Sequence, residues 1–200
     1  MSPEAYPPEA HPDVSIIPFG GKTPVIHPSA FIAPGCRIIG DVEIGEDASI
    51  WYNCVIRGDV NRVRIGARTN VQDGTVIHCD SPGDRADGRP AEGWAAIIGE
   101  DVLIGHMAMI HGCVLEDRAF VGLGAIVMSG CVVESDAMLA AGALLSPGKR
   151  LLHRQLWAGR PAKHMRDLSD AALIDMREGV EHYVHNAKAH KGAVKAVAEK

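Results

Sequence analysis

Three histidines are the side chains of this sequence best suited to chemistry: His78, His106 and His111. Each stands in or beside a short apolar segment, whereas the other histidines lie in the proline-rich start or after the apolar segments. Neutral imidazoles bind zinc and related ions, and three of them leave a fourth position for water, as is typical of catalytic zinc sites. The sequence therefore predicts a metal site, on condition that the fold gathers residues far apart along the chain.

The element that positions these histidines is a six-residue repeat of apolar residues. Helix faces recur near 3.6 residues, so a period of six does not indicate a helix. A triangular coil of short parallel strands, with three strands and 18 residues per turn, satisfies the period, and the aromatic content of 4% fits an interior filled by aliphatic side chains. We therefore predict a mainly β protein. The repeated positions are Ile26, Ile32, Ile38, Ile44, Ile50 and Ile56, then Ile65, Val71 and Ile77, then Ile98, Ile104 and Ile110, and finally Leu115, Val121, Val127, Val133, Leu139 and Leu145.

The repeat also predicts where the histidines lie relative to one another. Ile77 and Ile110 would occupy the same side of adjacent turns, with backbones about 4.8 Å apart. His78 and His111 follow them directly, so both would point outward from one side and converge on one ion. His106 would lie near another side or corner, so in a threefold trimer His106 of the partner subunit would supply the third ligand.

Several longer motifs accompany the histidines. They are Arg57-Gly58-Asp59, Asn70-Val71-Gln72-Asp73, Ile77-His78, the segment from Ile104 to Gly112, and Gly159-Arg160-Pro161-Ala162-Lys163 leading to Arg166-Asp167-Leu168-Ser169. Together they resemble the gamma-class carbonic anhydrases and their close bacterial relatives, within the hexapeptide-repeat superfamily. The resemblance implies a left-handed parallel β-helix and a homotrimer that shares its metal between neighbours. Zinc is expected, with iron or cobalt as alternatives, because ligand type alone does not fix the metal.

The same reading divides the chain into three parts. Residues 1–24 form a proline-rich N-terminal arm, and residues 25–148 form the hexapeptide-repeat β-helix with an inserted loop at 79–96. Residues 149–200 hold a connector and a C-terminal α-helix. Within that last part, apolar residues at alternating three- and four-residue spacing predict a helix over 167–190.

The resemblance implies a mechanism as well as a ligand set. His78 and His111 of one subunit and His106 of the partner subunit would hold the metal, whose water ligand ionises to hydroxide and attacks carbon dioxide to give bicarbonate. Gln72 would orient that hydroxide, and Asn70 would position carbon dioxide or bicarbonate. The remaining implied site residues are Arg57, which pairs with Asp73 across the interface, Asp59 in the same polar network, and Tyr183 on the last helix near the metal.

The sequence departs from the best-known active members in its proton-transfer groups. Those members carry a glutamate shortly after the Arg-x-Asp segment, where this chain has Val60, and a glutamate shuttle in the loop after the first metal histidine. Here that loop offers Asp80 and Asp84 as substitutes and has no glutamate before Glu92. The sequence leaves the proton shuttle unassigned.

Three functions are consistent with these residues: a metal-dependent carbonic anhydrase, a thioesterase that uses the same hydroxide on acyl-CoA thioesters, and a metal-bound trimeric scaffold without turnover. A hexapeptide acyltransferase is disfavoured, since it needs one catalytic histidine and a coenzyme A groove. The net charge of −5 and the lack of a basic stripe argue against nucleic-acid or membrane-surface partners. Five cysteines fit reduced thiols, and no signal or membrane segment is evident, so we expect a cytoplasmic protein.

Overall fold

The computed structural model describes residues 13–83 and 90–198. They form a parallel β-solenoid of about eight turns with one C-terminal helix, as the repeat predicts. The strands are β1 (Ser15–Ile17), β2 (Val25–Ile26), β3 (Phe31–Ile32), β4 (Arg37–Ile44), β5 (Ser49–Ile50), β6 (Val55–Ile65), β7 (Asn70–Val71), β8 (Val76–His78), β9 (Ala96–Ile98), β10 (Leu103–Ile104), β11 (Met109–His111), β12 (Val114–Leu115), β13 (Phe120–Val121), β14 (Ile126–Val127), β15 (Val132–Val133), β16 (Met138–Leu139), β17 (Leu144–Leu145), β18 (Arg150–Leu151), β19 (Gln155–Gly159) and β20 (Ala162–Asp167), and the helix is α1 (Asp170–Ala198).

The strands form one twelve-stranded and one eight-stranded sheet, in which each strand of the coil pairs in parallel with strands one turn away. The larger sheet covers two sides of the triangle because the long strands β4 and β6 turn a corner together. Gly40 lies at that corner, and a Cβ there would lie 2.4 Å from the carbonyl oxygen of Gly58. The two backbones approach so closely only because both residues are glycine.

The repeated aliphatic residues fill the interior. Ile56 pairs with Ile77 and Ile77 pairs with Ile110, so these side chains stack from turn to turn, and all three are fully buried. Cys36 and Cys54 are buried in the same interior on adjacent turns. A side chain that follows a stacked isoleucine points outward, because successive residues of a strand face opposite sides of the sheet.

The coil extends beyond the predicted repeat boundaries at both ends. After residue 148, β18 pairs with β15 and β19 pairs with β16, and the chain then reverses into the antiparallel strand β20. Before residue 25, β1 pairs in parallel with β4. Strand β1 has only three residues and lies among prolines, so its pattern of apolar residues is not evident from the sequence. Strands β18 and β19 follow Gly148 and Lys149, and polar residues stand between their apolar positions.

Helix α1 begins three residues later and ends eight residues later than predicted. Ser169 caps its start, since the Ser169 Oγ accepts a hydrogen bond from the backbone N–H of Ala172 at 3.3 Å. The apolar face packs on the eight-stranded sheet, and it consists of Leu173, Met176, Val180 and Ala187. No helix within the described residues is long and apolar enough to cross a membrane.

Candidate metal centre

His78 and His111 meet on the outer surface of the twelve-stranded sheet. They are direct register partners at the ends of β8 and β11, as the repeat predicts. The Nδ1 atom of His78 lies 3.3 Å from the Nε2 atom of His111, and the ring centroids are 5.2 Å apart. Two nitrogens from different turns therefore converge on one point outside the coil.

This spacing fits a tetrahedral ion. Zinc–nitrogen bonds are about 2.0–2.1 Å long, so two nitrogens on a tetrahedral centre lie about 3.3–3.4 Å apart. The other nitrogen of each ring is also held, as is usual for metal-binding histidines. The Nε2 atom of His78 lies 3.0 Å from Asp59 Oδ1, and the Nδ1 atom of His111 lies 2.8 Å from Ser129 Oγ. The pair therefore has donor atoms and supporting contacts that suit a metal ion.

Arg57 and Asp59 support the same pair. Arg57 is the register partner of His78 one turn earlier, and its guanidinium donates a hydrogen bond to Asp59 Oδ2. Burial raises the pKa of Asp59, but the hydrogen bonds from His78 and Arg57 outweigh burial and hold that pKa below its usual value. Asp59 is therefore a carboxylate at neutral pH, able to fix the ring of His78.

His106 lies in a second group at a corner of the coil, after strand β10 of the eight-stranded sheet. Its Nδ1 atom lies 2.7 Å from Asp73 Oδ2. Tyr52, Asp73 and His106 occupy equivalent corner positions on three consecutive turns, because Ile50 pairs with Val71 and Val71 pairs with Ile104. The carbonyl oxygens of these three residues each accept a hydrogen bond from the next turn, at 2.9, 2.9 and 2.8 Å. The backbone thus holds the three side chains in one column.

Gln72 and Asn70 stand beside that column and are nearly inaccessible, with exposed fractions of 4% and 1%. Gln72 Nε2 donates to Asn70 Oδ1 at 3.1 Å, which fixes the orientation of both amides. Asn70 Nδ2 is buried without a hydrogen-bond partner. A buried amide donor without a partner is costly, so this atom marks a position where a ligand oxygen would be stabilised.

Tyr183 packs on Trp51, with ring centroids 5.3 Å apart and nearly perpendicular planes. Burial raises the pKa of Tyr183, and the negative charge of Asp73 raises it further. The same two causes raise the pKa of Tyr52. Both hydroxyls are therefore neutral at physiological pH, and the charge of Asp73 reaches both of them.

The positions of the two missing glutamates differ in their surroundings. Val60, which stands where the first glutamate would be, lies in β6 and is 40% exposed. Asp80 is buried, and its Oδ1 accepts a hydrogen bond from the N–H of Ser81 at 2.9 Å. Asp84 lies outside the described residues. The structure therefore gives Asp80 a contact that caps its own loop.

Two neighbours of the histidine pair escaped the sequence reasoning. Ser129 stands 18 residues after His111, one turn of the coil, and that spacing was the available signal. Cys79 follows His78 directly, and its sulfur and ligand atoms of Asp59 and His78 all lie within 4.8 Å of one another. Strand β8 ends at His78, so the alternation of strand side chains no longer applies to Cys79.

Comparisons with known proteins identify the family of the chain. Residues 23–58 match the family model described as Bacterial transferase hexapeptide (six repeats). The chain is 42% identical over 169 residues to "Gamma carbonic anhydrase 2, mitochondrial" of Arabidopsis thaliana, and 39% identical over 176 residues to "Carbonic anhydrase" of Geobacillus kaustophilus. These alignments cover 84% and 88% of this chain. The chain spans 59% of the length of the plant protein and 91% of the bacterial one.

The solved structures give the same assignment of fold. A hexapeptide transferase family protein from Anaplasma phagocytophilum is 40% identical and superimposes with a TM-score of 0.78, covering 88% of this chain and 97% of that chain. The likeness thus includes nearly the whole of that protein. With its histidine pair, its repeat and these relatives, the chain belongs to the gamma-class carbonic anhydrase-like family of the hexapeptide-repeat superfamily.

Proposed function

We propose that this protein hydrates carbon dioxide to bicarbonate at a metal site shared by neighbouring subunits of a homotrimer. The observation that carries the proposal is the convergence of His78 Nδ1 and His111 Nε2 at 3.3 Å, with the second nitrogen of each ring held by Asp59 and Ser129. Relatives named as carbonic anhydrases support the reaction. Three imidazoles suit zinc, with iron and cobalt as alternatives.

The sharing of the site follows from the placement of its ligands. His78 and His111 lie on the twelve-stranded sheet, whereas His106 follows a strand of the eight-stranded sheet and is bound to Asp73. A rigid coil presents these two groups on different sides. Threefold symmetry brings one side of a protomer against another side of the next, so His106 of the partner subunit completes the ligand set.

The chain's own residues then bind and orient the reactants. Bound zinc lowers the pKa of a water ligand to about 7 and so supplies hydroxide at neutral pH. Gln72 is held by Asn70 through its amide nitrogen, which leaves its carbonyl oxygen to accept the hydroxide proton. Asn70 Nδ2, buried and without a partner, donates to an oxygen of carbon dioxide or bicarbonate. Asp59 keeps the ring of His78 in its binding orientation.

Subunit mixing tests both the reaction and the shared site. His78→Ala and His106→Ala variants should each lose metal and carbon dioxide hydration measured by stopped flow. A trimer assembled from equal amounts of both variants rebuilds an intact pair of half-sites at about one interface in four. We therefore expect about a quarter of the wild-type metal content and rate. No recovery in folded mixed trimers contradicts the shared site.

Measuring carbon dioxide hydration by fully metallated wild-type protein tests the reaction itself. Hydration above the buffer rate supports the proposal, and a zinc- or iron-loaded protein without such a rate contradicts it. An acyl-CoA panel distinguishes the two remaining functions: hydrolysis of a thioester would assign a thioesterase, and inactivity in both assays would assign a scaffold. The cytoplasmic location is a prediction of the sequence alone.

A further inference from the structure

Hydration of carbon dioxide releases one proton per turnover, and the position of the usual nearby glutamate holds Val60. The column of Tyr52, Asp73 and His106 offers another route away from the metal centre. We propose that Tyr52 and His190 form a proton relay that connects this column to solvent. The inference rests on the proposed function, since it assigns that reaction its proton acceptor.

The relay begins with the placement of Tyr52. It lies one turn before Asp73 in the column, and the carbonyl oxygen of Tyr52 accepts a hydrogen bond from Gly74 at 2.9 Å. Burial raises the pKa of Tyr52, and the charge of Asp73, whose Oδ2 lies 2.7 Å from His106 Nδ1, raises it further. Tyr52 is thereby kept protonated, one turn of the coil from Asp73.

His190, on helix α1, contacts the hydroxyl of Tyr52. The Nδ1 atom of His190 lies 2.9 Å from the Tyr52 hydroxyl oxygen, a contact that joins residues 138 positions apart. The ring is wedged against Trp51 and Phe31, with centroids 4.9 and 6.3 Å away. It is only partly buried, so it reaches both Tyr52 and solvent. These contacts fix the imidazole at the outer end of the column.

The titratable groups near His190 in the described part of the chain come from the coil and from helix α1 itself. From the coil, Tyr52 contacts His190, and the charge of Asp73 reaches Tyr52. Along the helix, Lys191 is adjacent, but its ammonium donates to the carbonyl oxygens of Pro28 and Ala30 at 3.1 and 3.3 Å. Tyr183 lies about two turns earlier and contacts Trp51 instead. Imidazole is the side chain that exchanges protons with buffer between pH 5 and 8.

The transfer balances as two linked steps. Water of the active site loses a proton to the Tyr52 oxygen while the original O–H bond of Tyr52 breaks and an N–H bond forms at His190 Nδ1. The site retains hydroxide, Tyr52 is unchanged, and His190 carries one positive charge. A buffer base then takes a proton from His190, which returns the ring to its neutral form.

The test uses zinc-loaded trimer. His190→Ala should lower kcat about tenfold or more at low buffer concentration and leave kcat/KM unchanged, because kcat/KM reports the attack on carbon dioxide and not the later transfer. Tyr52→Phe should have the same pattern, and added imidazole should restore kcat of the His190→Ala variant. His185→Ala is the matched control, since His185 is an exposed histidine of the same helix.

A second readout does not depend on turnover. The NMR resonances of the His190 ring should shift in Tyr52→Phe, because the Tyr52 hydroxyl contacts the Nδ1 atom of His190. Resonances of the His190 ring that do not respond to Tyr52→Phe overturn the relay, as does an unchanged kcat in His190→Ala at low buffer. Failure of the proposed function is a separate result, recognised by fully zinc-loaded wild-type protein that shows no hydration, and the relay then falls with it.

Discussion

Removing the charge of Asp59 should weaken metal binding without unfolding the coil. Asp59 Oδ1 lies 3.0 Å from His78 Nε2, and the asparagine of an Asp59→Asn variant can still accept that hydrogen bond but without charge. A hydrogen bond to a charged group contributes about 1.5–3 kcal/mol and a neutral one about 1 kcal/mol. The difference, about 0.5–2 kcal/mol, corresponds to a loss of about 2–30-fold in metal affinity. Asp59→Ala, which removes the contact, should approach the loss of about 100-fold seen when such supporting groups are deleted.

Competition with a chelator of known affinity measures this change, and melting of the metal-free protein checks the fold. Asp41→Asn is the control, because Asp41 lies in the same sheet and its Oδ1 atom pairs with Arg64 Nη2 at 2.7 Å. We expect the control to bind metal as the wild type does. An Asp59→Asn protein that is folded and binds metal as tightly as wild type would refute the role assigned to Asp59, as would an equal loss in the control.

Three further predictions concern the frame that carries the site. Ile77→Ala should lower the free energy of unfolding by about 2–5 kcal/mol, because Ile77 is fully buried. Ile174→Ala is the control and should cost little, since Ile174 is 52% exposed. Equal losses of stability in denaturant melts of the two variants would contradict the stacking argument. Gly105→Ala should destabilise the coil and weaken metal binding, since a Cβ there would lie 2.7 Å from the backbone nitrogen of Leu123. Gly192→Ala, which has open space around it in the helix, should instead raise stability by about 0.5–1 kcal/mol. A stability change of the same sign in both variants would contradict this reasoning. Burial raises the pKa of Asp136, but Arg118 and then Arg177 outweigh burial and hold that pKa below its usual value. The ionised carboxylate therefore stabilises the fold fully above about pH 4, and this stabilisation is lost as the pH falls further. The stability deficit of Asp136→Asn in urea melts should shrink between pH 5 and pH 3, and a deficit that stays constant would contradict this role of Asp136.

The sequence predicted the relations that depend on the repeat and missed those that depend on side-chain torsions. The pairing of Ile77 with Ile110 follows from counting in sixes, and it places His78 beside His111. Which ring nitrogen faces the partner, and the contact of His111 with Ser129, depend on rotamers that counting does not determine. The contact between Tyr52 and His190 joins the coil to the helix, whose rotation about its axis no repeat encodes.

The ends of the coil were harder to predict for a related reason. A repeat is recognised in a sequence only when several equivalent positions follow one another. At the ends of the coil, few such positions occur before the chain leaves the coil, as in β1, β18 and β19. Helix α1 continues past residue 190 because its last part has no proline to stop it, although Gly192 weakens it. Regularity thus made the middle of the molecule predictable, and the ends depended on local contacts.

The regular winding that gathers His78 and His111 also separates them from His106. Each turn repeats the previous one at a fixed spacing, so residues in the same position of successive turns form a column, and a column cannot cross from one side of the triangle to another. Arg57, His78 and His111 occupy one such column, and Tyr52, Asp73 and His106 occupy a second on another side. In the proposed function, these two columns are the halves of one metal site, and only the association of subunits joins them. Metal binding and assembly should therefore be coupled: removing the ion with a chelator should weaken the trimer, and dilution to monomers should release the ion.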